Sequence, residues 1–277
     1  MKPMIRIAII LFCFLLSGCS SVFFFPMSAQ VVTPDRLGLE YQDIHLQTKS
    51  KLALHGWFLP AKGEAKGSVY FLHGNAENIS THIQSVYWLP EMGYQVFLLD
   101  YRGYGLSEGK PDLAGALEDI KTGFNWLIEQ ESVSGKPVFL LGQSLGASMG
   151  IYFAATDDQA KSHLSGVISD AAFARYRDIA RHVADQIWLA WALQYPVSWS
   201  VVRQYDPVDY IGSISPTPLL LIHSRDDVII PWENSNALFE AAKEPKTQIE
   251  TAGYHGMTFN FTRNRWVLLD FFEKFGQ

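Results

Sequence analysis

From residue 40 onward the chain alternates between two kinds of apolar pattern. "YQDIHLQT" alternates apolar with polar positions and "LALHGWFLP" follows after a short polar turn, which predicts an antiparallel strand pair. "SVYFLHG", "YQVFLLD", "PVFLLGQS", "SGVISD" and "PLLLIHSRDD" are instead short, nearly continuous apolar runs. Runs of that kind suit strands covered on both faces of a parallel sheet. Segments with apolar residues three and four apart separate them, predicting helices at about 80–91, 112–130, 144–156 and 232–242. A strand at about 246–251 and a helix at about 257–275 end the series. The pattern predicts the α/β class, with a mostly parallel eight-stranded sheet flanked by helices.

One connection breaks the rhythm. About forty-five residues separate "SGVISD" from "PLLLIHSRDD", too many for an ordinary crossover, and a short helical cap insertion is expected at about 171–210. It carries Trp188, Trp191, Tyr195 and Trp199, spaced three and four apart on one helical face. That face either packs the insertion onto the domain or lines a site for an apolar substrate, with Trp188 and Trp191 as the candidate substrate-binding residues.

The N-terminus has a different pattern. "MKPMIRIAIILFCFLLSGCSS" begins with Lys2 and Arg6, continues as an apolar run from Ile7 to Leu16, and ends in small residues. This is the layout of a secretory signal over residues 1–18, since ten apolar residues are short for a bilayer span. Leu16-Ser17-Gly18-Cys19 also resembles the bacterial lipoprotein signal. The resemblance implies that Cys19 is lipidated and that residues 19–39 link an anchor in the cell envelope to a domain over 40–277. An uncleaved N-terminal anchor is the competing reading. Phe23-Phe24-Phe25-Pro26 is suited either to a membrane interface or to the domain's own surface.

Composition narrows the class. The chain is 48% hydrophobic and 14% aromatic, enough for a large core, with a net charge of -6 and no long Lys/Arg run, which argues against a nucleic-acid partner. The two cysteines, Cys13 and Cys19, both lie in the N-terminal segment, so neither a disulfide nor a zinc–cysteine site is expected in the domain. His45, His55, His82, His163 and His182 lack acidic or cysteine partners at ligand spacing, and no metal or cofactor is expected.

In open parallel sheets the reactive groups gather beyond the carboxyl ends of the strands. There the chain places Ser144, between Gly142 and Gly146, and His73-Gly74-Asn75. Asp226, Asp227 and His255 follow the last two strands. A serine hydroxyl becomes a good nucleophile only when a base takes its proton; His255 can serve, steadied by a carboxylate. A negative oxygen formed on attack needs N–H donors, for which the Leu145 and Asn75 amides are the candidates. His73 and His223 read as structural, and Asp100 and Arg102 as braces of their own loop.

Taken in order, these motifs resemble the α/β hydrolases, whose Gly-x-Ser-x-Gly elbow Gly142–Gly146 matches. "FLHGNAEN" resembles the family's oxyanion loop, and "LLDYRGYGLSEG" resembles a loop of its lipase-like and thioesterase-like branches. "HSRDDVIIP" resembles the family's acid loop in a register that implies Asp227 as the acid, although Ser224 replaces a usual glycine. The resemblance covers about 40–275. It implies a serine hydrolase acting on carboxylic ester or thioester bonds of acyl substrates without a cofactor. An aminopeptidase or amidase of the same fold, for which Asp178 or Asp185 would hold a free amine, and a non-catalytic anchored binding protein are the alternatives.

Overall fold

A computed structural model describes residues 21–186 and 203–276. The strands in chain order are β1 (Phe25–Pro26), β2 (Gln42–Gln47), β3 (Ala53–Leu59), β4 (Gly67–Leu72), β5 (Ala76–Glu77), β6 (Tyr94–Leu99), β7 (Val138–Gln143), β8 (Leu164–Asp170), β9 (Leu219–Ser224) and β10 (Lys246–Thr251). Eight of them form one sheet in the order β10-β9-β8-β7-β4-β6-β3-β2. Among the described strands of this sheet, only the pairings of β3 are antiparallel. This is the α/β-hydrolase fold, with the strand assignments close to those expected from the apolar runs.

The central strands are mostly apolar because helices cover both of their faces. Tyr70, Leu72, Phe97, Leu99 and Leu140 enter one core layer, while their strand neighbours Val69, Phe71, Val96, Leu98 and Leu141 enter the other. Such alternation follows from the two-residue period of a strand. The helices among the described residues are α1 (Ile79–His82), α2 (Leu113–Ile128), α3 (Leu145–Thr156), α4 (Asp158–His163), α5 (Tyr176–Gln186), α6 (Pro207–Tyr210), α7 (Glu233–Ala241) and α8 (Thr262–Phe275). Asp112 caps α2 by accepting the Gly115 N–H, and Asp157 caps α4 by accepting the Gln159 and Ala160 N–H groups.

Three details depart from the periodic pattern. The helix expected at 80–91 breaks into α1 and two 3-10 turns, Ile83–Ser85 and Pro90–Met92. Trp88 Nε1–H donates to the Ser85 carbonyl, the Leu89 N–H turns to Val86, and Pro90 has no N–H with which to continue. The last helix starts later than expected, at Thr262, after a 3-10 turn over Thr258–Asn260. The packed unit also reaches back to residue 21 rather than beginning at 40. Phe24 is buried in the core beside Tyr104, and β1 pairs in parallel with β5 as a separate two-stranded sheet.

Candidate active site

The bend at Ser144 is built by glycine on both sides. Ser144 has φ 56° and ψ −118°, a conformation costly for a residue with a side chain, and its N–H donates to the Asp170 carbonyl at 2.8 Å. A Cβ at Gly142 would stand 2.5 Å from Ala147 Cα, and one at Gly146 would press into the Leu72 and His73 carbonyls. The glycines therefore let β7, α3 and the end of β4 approach closely enough to set Ser144 on the turn.

Three residues far apart in sequence meet there. Ser144 Oγ lies 2.9 Å from His255 Nε2, and His255 Nδ1 lies 2.6 Å from Asp227 Oδ2. With the ring proton on Nδ1, His255 donates to the carboxylate and leaves Nε2 to accept from the serine hydroxyl. The other Asp227 oxygen accepts the Ile229 and Ile230 N–H groups, both at 2.9 Å. Burial pushes the Asp227 carboxyl up, but the His255 hydrogen bond and charge, the Ile230 amide and nearby His223 together hold it below the usual range. Asp226, the neighbouring candidate, is exposed and accepts the Gly253 N–H instead.

The two candidate oxyanion donors lie beside this chain of bonds. Leu145 opens α3, where an N–H has no carbonyl one turn earlier in the helix. Asn75 lines the same cleft as Ser144 and His255, a space of about 410 Å³ with Glu77, His82 and Gln143 also in its wall. Tyr104 Oη–H donates to the Asn75 carbonyl at 2.5 Å, and the Phe25 N–H donates to it at 2.8 Å. The loop that carries Asn75 is thus pinned from two sides.

Residues around the site hold its loops. His73 is fully buried, donates from Nδ1 to the Gly74 carbonyl and stacks on Tyr101 at 4.1 Å between centroids. Burial, with His82 nearby, pushes its pKa well down, so it stays neutral. His223 is buried, donates from Nε2 to the Ile230 carbonyl and has its pKa lowered by burial. Asp100 accepts the Ile79 N–H, and Arg102 forms a bidentate pair with Asp119 on α2 while reaching Glu118. Both residues therefore tie their loop to neighbouring elements, beyond bracing the loop itself.

A buried carboxylate given no role from the sequence also belongs here. Asp170 ends β8, accepts Gln143 Nε2–H at 3.0 Å and accepts Thr258 Oγ1–H at 2.7 Å. It connects the residue before Ser144 to the loop that carries His255. Burial raises its pKa. Its only signal in the sequence is its place at the end of an apolar run. Asp178 lies exposed on α5, 3.9 Å from Arg181, and neither it nor Asp185 is among the residues lining the cleft. Trp188, Trp191 and Cys19 lie outside the described residues.

Comparison with known proteins agrees with the fold. The family model described as "Serine aminopeptidase, S33" matches residues 63–213, more than half of the chain. The chain belongs to that family. It is 33% identical over 254 residues to the uncharacterized protein YfhR of Escherichia coli strain K12, covering 90% of this chain and 84% of that protein. It is 29% identical over 220 residues to the α/β hydrolase domain-containing protein WAV2 of Arabidopsis thaliana, covering 76% of this chain and 70% of the other. Among solved structures, an esterase of Pyrococcus furiosus superposes with a TM-score of 0.74 at 22% identity, over 92% of this chain and 98% of that one. An acylaminoacyl peptidase of Pyrococcus horikoshii superposes at 0.65 and 18% identity, over 86% and 42%. At those identities the structural likenesses speak for the fold alone.

Proposed function

We propose that the chain is a serine hydrolase of carboxylic ester or thioester bonds in acyl substrates, held by lipid on Cys19 to a membrane of the bacterial envelope. The observation that carries the chemistry is the Ser144–His255–Asp227 chain of hydrogen bonds on a strained elbow. Among the alternatives open from sequence, a non-catalytic binding protein has no use for that chain.

The reaction follows from the donors and acceptors in place. His255 Nε2 takes the proton of Ser144 as Oγ attacks the acyl carbon, and Asp227 stabilises the imidazolium that forms. The carbonyl oxygen becomes an oxyanion that accepts hydrogen bonds from the Leu145 and Asn75 N–H groups. Collapse breaks the bond to the leaving alkoxide or thiolate, which takes the proton from His255 and departs. Water then enters, gives a proton to His255, attacks the acyl-serine and releases the carboxylic acid while Ser144 recovers its proton. No cofactor takes part.

The test is hydrolysis of p-nitrophenyl esters from acetyl to palmitoyl by the protein and by Ser144→Ala. Turnover lost in the variant supports Ser144 as nucleophile, and the chain-length optimum sizes the acyl pocket. No turnover of any ester by the parent protein, with no labelling of Ser144 by a fluorophosphonate, sinks the proposal. Turnover of aminoacyl p-nitroanilides but of no ester would favour the aminopeptidase reading. That reading is supported by the family's description and by Glu77 on the cleft wall, where a carboxylate can hold an amine.

A further inference from the structure

From Ser21 onward the chain is packed on the domain. Ser21 opens a 3-10 turn, and the Phe23 ring lies 5.2 Å edge-on from Tyr176 and 6.3 Å from Phe173, just past the carboxyl end of β8. The segment then crosses the oxyanion loop. Phe25 and Met27 donate to the Asn75 and Glu77 carbonyls, Gly105 donates to Met27, and Asn78 Nδ2 donates to the carbonyls of Met27 and Ala29. Its start is therefore fixed beside the segment that follows β8 and next to the loop that carries Asn75. Cys19 precedes Ser21 by two residues, at most roughly 7 Å of extended chain.

The same face is ringed by apolar side chains turned to solvent. Phe25 is 61% exposed beside Asn75, and Leu106 is exposed in the loop after β6. Val183 is exposed on α5, Ile229 beside the acid Asp227, and Tyr254 (72%) and Met257 on either side of His255. All six follow the carboxyl ends of strands in one sheet, or pair with the loop that does, so they share one side of the molecule. Exposed apolar side chains gathered on the side where a concave site opens favour a contact surface there.

We infer that this ring is a docking surface for a lipid bilayer, and that the active-site mouth faces the membrane that holds Cys19. The direction of approach rests on the anchor proposed above, not on the ester substrate. The tether decides the occupant: with the acyl chains within about two residues of the rim, the nearest apolar phase is the bilayer itself. Phe25 and Leu106 would enter the interface, and acyl chains in the bilayer would reach Ser144 without crossing water. The strand β1 holds this orientation because its backbone is bonded to the oxyanion loop.

The test uses the full chain with Cys13→Ser, reconstituted in phosphatidylethanolamine–phosphatidylglycerol vesicles. Spin labels go one at a time on Leu106→Cys, Val183→Cys and, at the opposite edge of the sheet before β7, Ser134→Cys. Collisions with oxygen exceeding those with a water-soluble nickel chelate at 106 and 183, and the reverse at 134, are expected. Equal access at all three positions overturns the proposal. Dipolar coupling between labels on two chains at 106 or 183 also overturns it, in favour of a second copy covering the ring. If Cys19 itself takes up label, no acyl chain is there, and the measurement is repeated with Cys19→Ser. Depth retained at 106 and 183 then upholds the surface without the lipid, and depth lost overturns it. Separately, Leu106→Ser with Val183→Ser should lower turnover of an ester carried in vesicles about tenfold and leave a water-soluble acetyl ester unaffected. If the parent protein cleaves neither ester, the proposed reaction fails while the depth measurement still decides the orientation.

Discussion

Gly142→Ala probes whether the elbow itself sets the reactive geometry. The added methyl would sit 2.5 Å from Ala147 Cα and 2.6 Å from both Ala147 N and the Gly146 carbonyl oxygen, where ordinary contact begins at 3.4 Å. All three are backbone atoms, so no rotamer change relieves the clash, and α3 must move off β7 by about 0.9 Å. Ser144 lies between the two displaced pieces, and its 2.9 Å bond to His255 moves with them. Overpacking of this kind costs about 1–3 kcal/mol of stability. In a domain of this size each kcal/mol corresponds to a fall of roughly 2–4 °C in Tm. A misplacement near 1 Å costs about 10²-fold in rate. Thermal unfolding and kcat on a short p-nitrophenyl ester measure the two effects, with fluorophosphonate labelling as a check on the serine. A variant that keeps the parent's Tm and kcat within about twofold would refute the claim that glycine is needed for close approach at the elbow. A loss of Tm with kcat preserved would show that the clash is absorbed away from Ser144.

Asp227→Asn should lower kcat by about 10³–10⁴-fold, because its amide would donate to His255 Nδ1 and force the ring proton onto Nε2. Asp226→Asn should leave kcat near that of the parent, and the opposite pattern in the same ester assay would reassign the acid. Arg102→Met strands Asp119 as a buried unpaired carboxylate and should cost about 3–5 kcal/mol in denaturant unfolding, far more than an exposed pair such as Lys62–Glu91. Asp170 has its pKa raised in the fold above the ordinary carboxylate value, because burial penalises its charge. Between those values the folded state holds a proton that the unfolded state lacks, so stability should rise as pH falls from neutral into that window. Asp170→Asn should flatten this part of the Tm–pH curve, and an unchanged curve would assign the rise elsewhere. Asp227 acts with the opposite sign: its lowered pKa stabilises the fold above its ordinary value, and that contribution is lost as pH falls through the folded value.

Local pattern alone decided the sheet. Strands such as "VYFL" and "VFLL" are apolar at every position because both of their faces are covered, and no amphipathic helix is written that way. It also singled out Ser144 and His255, since a serine between glycines at a strand end and a histidine after the last strand each stand out locally. The choice between Asp226 and Asp227 was legible only through the family resemblance. Adjacent residues of one loop point in different directions, and which carboxylate meets His255 depends on two backbone N–H groups, Ile229 and Ile230, that accept no pattern rule. Asp170 stayed hidden for a related reason: its partners Gln143 and Thr258 lie 27 and 88 residues away in the chain. The helix expected at 80–91 broke because one indole N–H competes for a backbone carbonyl, a contact that periodicity does not encode. The clearest division falls at the three phenylalanines after Cys19. Their sequence suits a membrane interface or a protein surface equally well, and only folding separates them, burying Phe24 against Tyr104 while leaving Phe25 in solvent beside the oxyanion loop. Apolar character is a property of the residue, but which apolar residue is covered depends on the tertiary neighbours that the fold supplies.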